Sequence, residues 1–172
     1  QNAATAIQAV FLSGLACSPE SIKRGLRDAQ VSGRMEVTEY QGHKFILDVA
    51  HNPQSALYLA QRLKKTEPNG VHLILGMLAD KDCSAVIKAL SPVVICWHLV
   101  TLKVPRGQTA EELSLHVSTS DVSKANVVCH ETVASAIGSL IASAPAVTGT
   151  IVVAGSFYTV GDAYPVLQRE LL

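Results

Sequence analysis

The sequence has no surplus of charge: 14 Lys and Arg stand against 14 Asp and Glu in 172 residues. Without a basic surplus, neither a nucleic-acid backbone nor an anionic membrane surface has an electrostatic counterpart here. No uninterrupted apolar run reaches the ~18 residues that cross a bilayer. The opening Gln1-Asn2-Ala3-Ala4-Thr5-Ala6 lacks the basic start of a secretory signal. The four cysteines, at 17, 83, 96 and 129, include no C-x-x-C pair, and the six histidines include no H-E-x-x-H. These spacings match no common zinc motif, so no protein-built metal cage is expected. Free thiols, about three or all of them buried, and a reducing compartment are the expectation. Also missing are G-x-G-x-x-G and G-x-x-x-x-G-K-[ST]. Their absence counts against an NAD-type site and leaves the chain without its own triphosphate cradle.

What is present is apolar. At 48% hydrophobic and 16% charged, the chain excludes disorder, and its length suits one domain with a short piece of a neighbour. Small and apolar residues from Ala3 to Ala16 predict a helix. Ser18 as N-cap with Pro19 at the first helical position predicts a second one ending before Ser32-Gly33. Beyond it, short β-rich runs alternate with helical segments. Strands are predicted at 36–40, 44–48, 71–75, 93–101, 127–130 and 151–154. Helices are predicted at 53–65, 83–90, 110–117, 132–144 and 160–171. Glu39-Tyr40-Gln41-Gly42 reads as a turn that makes the first two strands antiparallel. The rest is the pattern of a mostly parallel, doubly wound α/β (Rossmann-like) sheet with helices on both faces. One antiparallel edge strand and a helical N-terminal appendage complete the expected fold.

In such sheets ligands gather beyond the carboxyl ends of the strands. Three segments there carry polar residues. Asp48-Val49-Ala50-His51-Asn52-Pro53 follows a buried strand and opens a helix, which places backbone donors toward an anion. The alternative is that Asn52 only caps and Asp48 only ends the strand. Gly76-Met77-Leu78-Ala79-Asp80-Lys81-Asp82 combines a sharp turn with a cation, and Asp80 or Asp82 also suits a helix cap. Gly155-Ser156-Phe157-Tyr158-Thr159 offers a hydroxyl at a helix start. It is no nucleophile elbow, because Thr159 stands where G-x-S-x-G needs its second glycine. Arg34 and Arg106 are loop arginines that either pair bidentately with an anion or remain solvated.

Together, Asn2-Ala3-Ala4-Thr5-Ala6, Gly33-Arg34-Met35-Glu36, Asp48 to Pro53, Gly76 to Asp82, Pro105-Arg106-Gly107 and Gly155 to Val160 resemble one family. It is the folylpolyglutamate synthase/dihydrofolate synthase branch of the Mur ligase superfamily. The resemblance implies a cytoplasmic, monomeric, ATP-dependent ligase that joins L-glutamate to a folate or dihydropteroate carboxylate through an acyl phosphate. It also implies that residues 1–32 are the last helices of a central ATPase domain and 33–172 the glutamate ligase domain. The phosphate loop, the Mg2+ ligands and most of the pterin site would then belong to the N-terminal ATPase domain, and the chain alone would be inactive.

By the same resemblance Asn2 meets adenine, and Arg34 and Asp48 hold ribose and phosphates. His51, with Asp48, sits at the reacting groups, and Lys81, Ser156 and Phe157 bind the incoming glutamate. No metal ligand is assigned. Two other readings remain: a non-catalytic nucleotide or amino-acid binding domain of the same fold, and a peptidoglycan Mur ligase, which His51-Asn52-Pro53 disfavours.

Overall fold

The computed structural model describes residues 2–29, 31–119, 126–143 and 149–168; the side chain of Asn2 and the predicted helix ends at 144 and 171 lie outside them. The chain divides into two compact units, Gln1–Val31 and Ser32–Leu172. The first holds α1 (Asn2–Leu12) and α2 (Pro19–Asp28). Ser18 caps α2 by accepting from the Ser21 N–H at 3.1 Å. Helix α1 stops short of Ala16, where the Ser13 hydroxyl turns back onto the Val10 carbonyl at 2.7 Å.

The second unit is a six-stranded sheet in the order β1-β2-β6-β3-β4-β5. Its strands are β1 (Glu36–Tyr40), β2 (His43–Asp48), β3 (Val71–Leu75), β4 (Val94–Val100), β5 (Asn126–His130) and β6 (Thr150–Ala154). Only β1 runs antiparallel, in register Tyr40↔His43 across the Gln41-Gly42 turn. The other neighbours are parallel. The sequence strand 93–101 is trimmed because Ser91–Val93, with Pro92 inside, forms a 3-10 turn.

Both faces are covered, as the continuous apolar strands require. On one face Ile46, Leu73, Leu75, Trp97, Leu99 and Val152 pack under α3 (Pro53–Thr66), α4 (Cys83–Leu90) and α5 (Ala110–Thr119). On the other, Phe45, Leu47, Ile74, Val100, Ile151 and Val153 pack under α6 (Val133–Ala142) and α7 (Phe157–Val166). Among the described residues no helix is long and apolar enough to cross a membrane. The expectation of buried thiols is corrected. Cys83 is buried and Cys96 half-buried, whereas Cys17 and Cys129 are exposed. Cys129 sits on β5, an edge strand whose residues are largely uncovered.

Candidate functional site

The ends of β2, β3 and β6 meet at one rim, because β6 inserts between the other two, with Asp48 beside Ala154 and Leu75 beside Ala154. Strand order therefore brings together three segments that are about thirty to a hundred residues apart in the chain. A cleft of about 190 Å³ opens there, lined by His51, Leu78, Lys81, Gly155, Ser156, Phe157 and Tyr158. Four of the residues singled out in the sequence, His51, Lys81, Ser156 and Phe157, share this cleft.

Its floor depends on a close backbone approach. Gly155 has φ 110°, and a Cβ there would lie 2.4 Å from the Gly76 carbonyl oxygen. The Thr159 hydroxyl donates to that carbonyl at 2.7 Å, and the Thr159 N–H donates to Ser156 Oγ at 3.0 Å. Since the proton of Thr159 is spent on Gly76, the 2.6 Å contact between the two hydroxyls has Ser156 as donor. Ser156 is thus the N-cap of α7, with its one proton committed. Helix α7 begins at Phe157, three residues before the predicted start, because this cap recruits Phe157-Tyr158-Thr159 into its first turn. The N–H groups of Phe157 and Tyr158 precede the first intrahelical bond and are the natural anion donors of the cleft.

His51 is held by a 2.9 Å contact between Nδ1 and the Val49 carbonyl. A carbonyl only accepts, so Nδ1 carries a proton, and Nε2 is the ring nitrogen left to meet a ligand. The ring lies 6.4 Å from that of Phe157, tilted by 41°. Helix α3, which follows, is closed by a capping box: Asn52 Oδ1 accepts from the Ser55 N–H at 2.9 Å and Ser55 Oγ accepts from the Asn52 N–H at 3.3 Å. At the start of α3 the Asn52 and Ser55 N–H groups are therefore engaged and Pro53 has none, which leaves the Gln54 N–H of that first turn as a donor for an anion.

Asp48 is not among the residues that line the cleft. Its Oδ2 accepts from the Met35 N–H and its Oδ1 from the Ala50 N–H, both at 2.9 Å. Burial raises its pKa above the usual carboxylate value, and these two amides and the Arg34 charge oppose that rise without cancelling it. Asp48 thereby clamps the loop that carries Arg34, whose side chain is exposed. Met35 holds a left-handed φ of 49° in that loop, a strain sustained by its contacts.

Lys81 Nζ meets Asp80 Oδ2 at 3.1 Å, and the same oxygen receives Arg106 at 3.0 Å. Pairs this exposed exchange readily with a ligand carboxylate. The Arg106 loop is docked by the Ala79 N–H donating to the Arg106 carbonyl at 2.8 Å. A Cβ on Gly107 would lie 1.9 Å from the Leu102 carbonyl oxygen, so only glycine fits there. Asp82 caps α4, accepting from the Ala85 N–H at 3.0 Å. Asn2 stands on α1, in the other unit. The sequence reading gave no role to Leu78 or Tyr158, which line the cleft beside the assigned residues. It also missed Glu36 and Tyr164, whose carboxylate and hydroxyl meet at 2.6 Å and hold the Arg34 loop to α7. Their only signal was position: Glu36 closes the Gly33-Arg34-Met35-Glu36 string.

The parallel sheet thus carries an amino-acid-sized cleft at its switch region, with a cation on one wall and a capped helix start on the other. The family profile described as "Mur ligase, glutamate ligase domain" matches residues 33–157, and the chain belongs to that family. Among its relatives, the dihydrofolate synthase/folylpolyglutamate synthase of Escherichia coli K12 is 38% identical over 170 residues, 98% of this chain and 38% of that protein. The solved structure of E. coli FolC in complex with DHPP and ADP superposes with a TM-score of 0.81 at 38% identity, covering 97% of this chain and 38% of that one. A bifunctional folylpolyglutamate synthase/dihydrofolate synthase with Mn, AMPPNP and L-glutamate bound gives a TM-score of 0.81 at 35% identity, over 97% and 39%. The chain spans about two fifths of the length of the relatives it matches.

Proposed function

We propose that this chain is the glutamate-accepting part of an ATP-dependent, amide-forming ligase that joins L-glutamate to dihydropteroate, to folates, or to both. It works in a reducing cytoplasm as part of a monomer, in which an N-terminal ATPase domain supplies the phosphate loop, the Mg2+ ligands and most of the pterin site. Residues 1–32 are the closing helices of that ATPase domain. The observation that carries the reading is the single cleft shared by His51, Lys81, Ser156 and Phe157. The relatives named for glutamate ligation support it, as does the L-glutamate named in one of their structures.

Each group has a role its chemistry suits. The Lys81 ammonium exchanges Asp80 for a carboxylate of the incoming glutamate, while the Phe157 and Tyr158 N–H groups take the same or the second carboxylate. Ser156 serves by fixing where α7 begins rather than by donating its committed proton. His51, its Nδ1 held by Val49, accepts a proton at Nε2 from the glutamate ammonium, freeing the amine to attack, or orients that group. Asp48 positions Arg34, and the Arg34 guanidinium stabilises charge on the transferring phosphate. Asn2 pairs with the adenine edge. ATP activates the acceptor carboxylate as an acyl phosphate, and a bound Mg2+ offsets phosphate charge.

The test has two arms. The chain alone, given ATP, Mg2+, L-glutamate and dihydropteroate, is expected to release no ADP; steady turnover would overturn the division of labour. Joined to its ATPase domain, His51→Ala is expected to lower turnover by roughly 10²-fold, with Lys81→Ala raising the KM for glutamate. Unchanged kinetics in both would remove the cleft from the reaction.

A further inference from the structure

On the sheet face beneath α6 and α7, three imidazoles run diagonally over adjacent strands: His72 on β3, His98 on β4 and His130 on β5. His72 is paired in register with Cys96. Cys96 and His98 are two residues apart on β4 and so project from the same face. His72 Nδ1 lies 3.4 Å from His98 Nε2, and His98 Nδ1 lies 3.1 Å from His130 Nε2. The donor atoms of His72, Cys96 and His98 all lie within 4.8 Å of one another.

The two nitrogen–nitrogen distances mean different things. The 3.1 Å contact is a hydrogen bond. At 3.4 Å the other is beyond the ~2.7–3.2 Å of a good N–H bond. It does match the edge of a tetrahedron whose metal–nitrogen bonds are ~2.0–2.1 Å, since that edge is about 1.63 bond lengths. The shorter contact completes the pattern. When His98 Nδ1–H donates to His130, the Nε2 lone pair is left facing His72 and Cys96, as histidine ligands with an outer hydrogen-bond partner are arranged. The entry path is short, because His72, Cys96 and His130 are only half-buried.

We propose that His72, Cys96 and His98 form a binding site for a borderline-soft divalent transition metal of the Zn2+ class, with His130 orienting the His98 ring. Two imidazoles and a thiolate select such an ion over Mg2+ or Ca2+, which require oxygen ligands. Water fills the fourth position. The site ties β3 to β4 toward the beginning of the strands, away from the cleft at their carboxyl ends, and its occupancy stabilises the sheet. Sequence spacing conceals it, because His72 reaches the Cys96-x-His98 pair only through strand pairing.

The test is Co2+ titration of the reduced, chelator-stripped full chain. The expected result is one equivalent bound, with a near-ultraviolet thiolate-to-cobalt charge-transfer band, displaced by Zn2+ and unaffected by excess Mg2+. Cys96→Ser is expected to abolish the band, and His130→Ala to weaken binding about 10-fold while keeping the band. Should Cys96→Ser fail to fold, the variant with Cys17, Cys83 and Cys129 all changed to Ser must retain the band. A wild-type protein with no band, or a band that disappears from that triple variant, overturns the proposal.

Discussion

The Tyr164 hydroxyl donates to Glu36 Oε2 at 2.6 Å, although the two residues are 128 positions apart. The same oxygen accepts from the Gly33 N–H at 3.0 Å, and the Val49 N–H closes the loop onto the Gly33 carbonyl at 2.8 Å. One carboxylate thus ties α7 to the loop that presents Arg34. Tyr164→Phe is expected to cost about 1.5–3 kcal/mol, the range for a hydrogen bond to a charged group, read as a lower urea midpoint at unchanged m-value.

The same pair sets a pH response. Burial, and then the hydrogen bond and charge of Glu36, push the Tyr164 pKa up to about 12 from its ordinary 10. A raised folded-state value means the folded chain keeps its proton longer, so this stabilisation is complete below pH 10 and is lost as pH rises toward 12. Between those values the wild type is expected to lose more stability than Tyr164→Phe. Parallel curves would show that the pair does not couple to folding.

Asp48→Ala removes the acceptor of two backbone N–H groups, those of Met35 and Ala50. Orphaned donors cost about 1–3 kcal/mol each. Amide hydrogen exchange at Met35 and Ala50 is expected to quicken more than at the centre of β2. Asp48→Asn, with one carbonyl oxygen, is expected to protect only one of the two.

Glu67 at the end of α3 bonds Lys44 on β2 and Thr150 on β6. Burial alone would raise its pKa, but those bonds outweigh it and leave the carboxyl below its ordinary 4.5. A depressed folded-state value contributes stability above the unfolded value, and that stability is lost as pH falls through the folded one. Glu67→Gln is therefore expected to flatten the decline of stability below pH ~4.5, measured by denaturant titration at successive pH values.

Gly155→Ala places a Cβ 2.4 Å from the Gly76 carbonyl oxygen at φ 110°. Backbone strain of about 1–3 kcal/mol adds to the clash, and the β3 and β6 ends must separate. A lowered Tm together with lost glutamate binding is expected. Gly138→Ala, at a helical position with open space around it, is expected to be neutral or mildly stabilising.

Local patterning determined the elements. Strand β1 and helix α4 lie at the expected residues because their boundaries are written in turn and cap chemistry: Gln41-Gly42 after β1, Asp82 before α4. Apolar runs such as Phe45-Ile46-Leu47 made β2 a strand buried on both sides, since no other placement removes so much surface from water. Only the tertiary structure decided the order β2-β6-β3, and with it which loops share a cleft. Parallel pairing joins residues a hundred positions apart, and nothing local encodes the partner. For the same reason it alone brought His72 to Cys96 and Glu36 to Tyr164. It also showed that Ser156 caps α7 and that Asp48 accepts from two backbone amides, because a hydroxyl proton or a carboxylate oxygen can be counted as engaged only once its neighbours are in place.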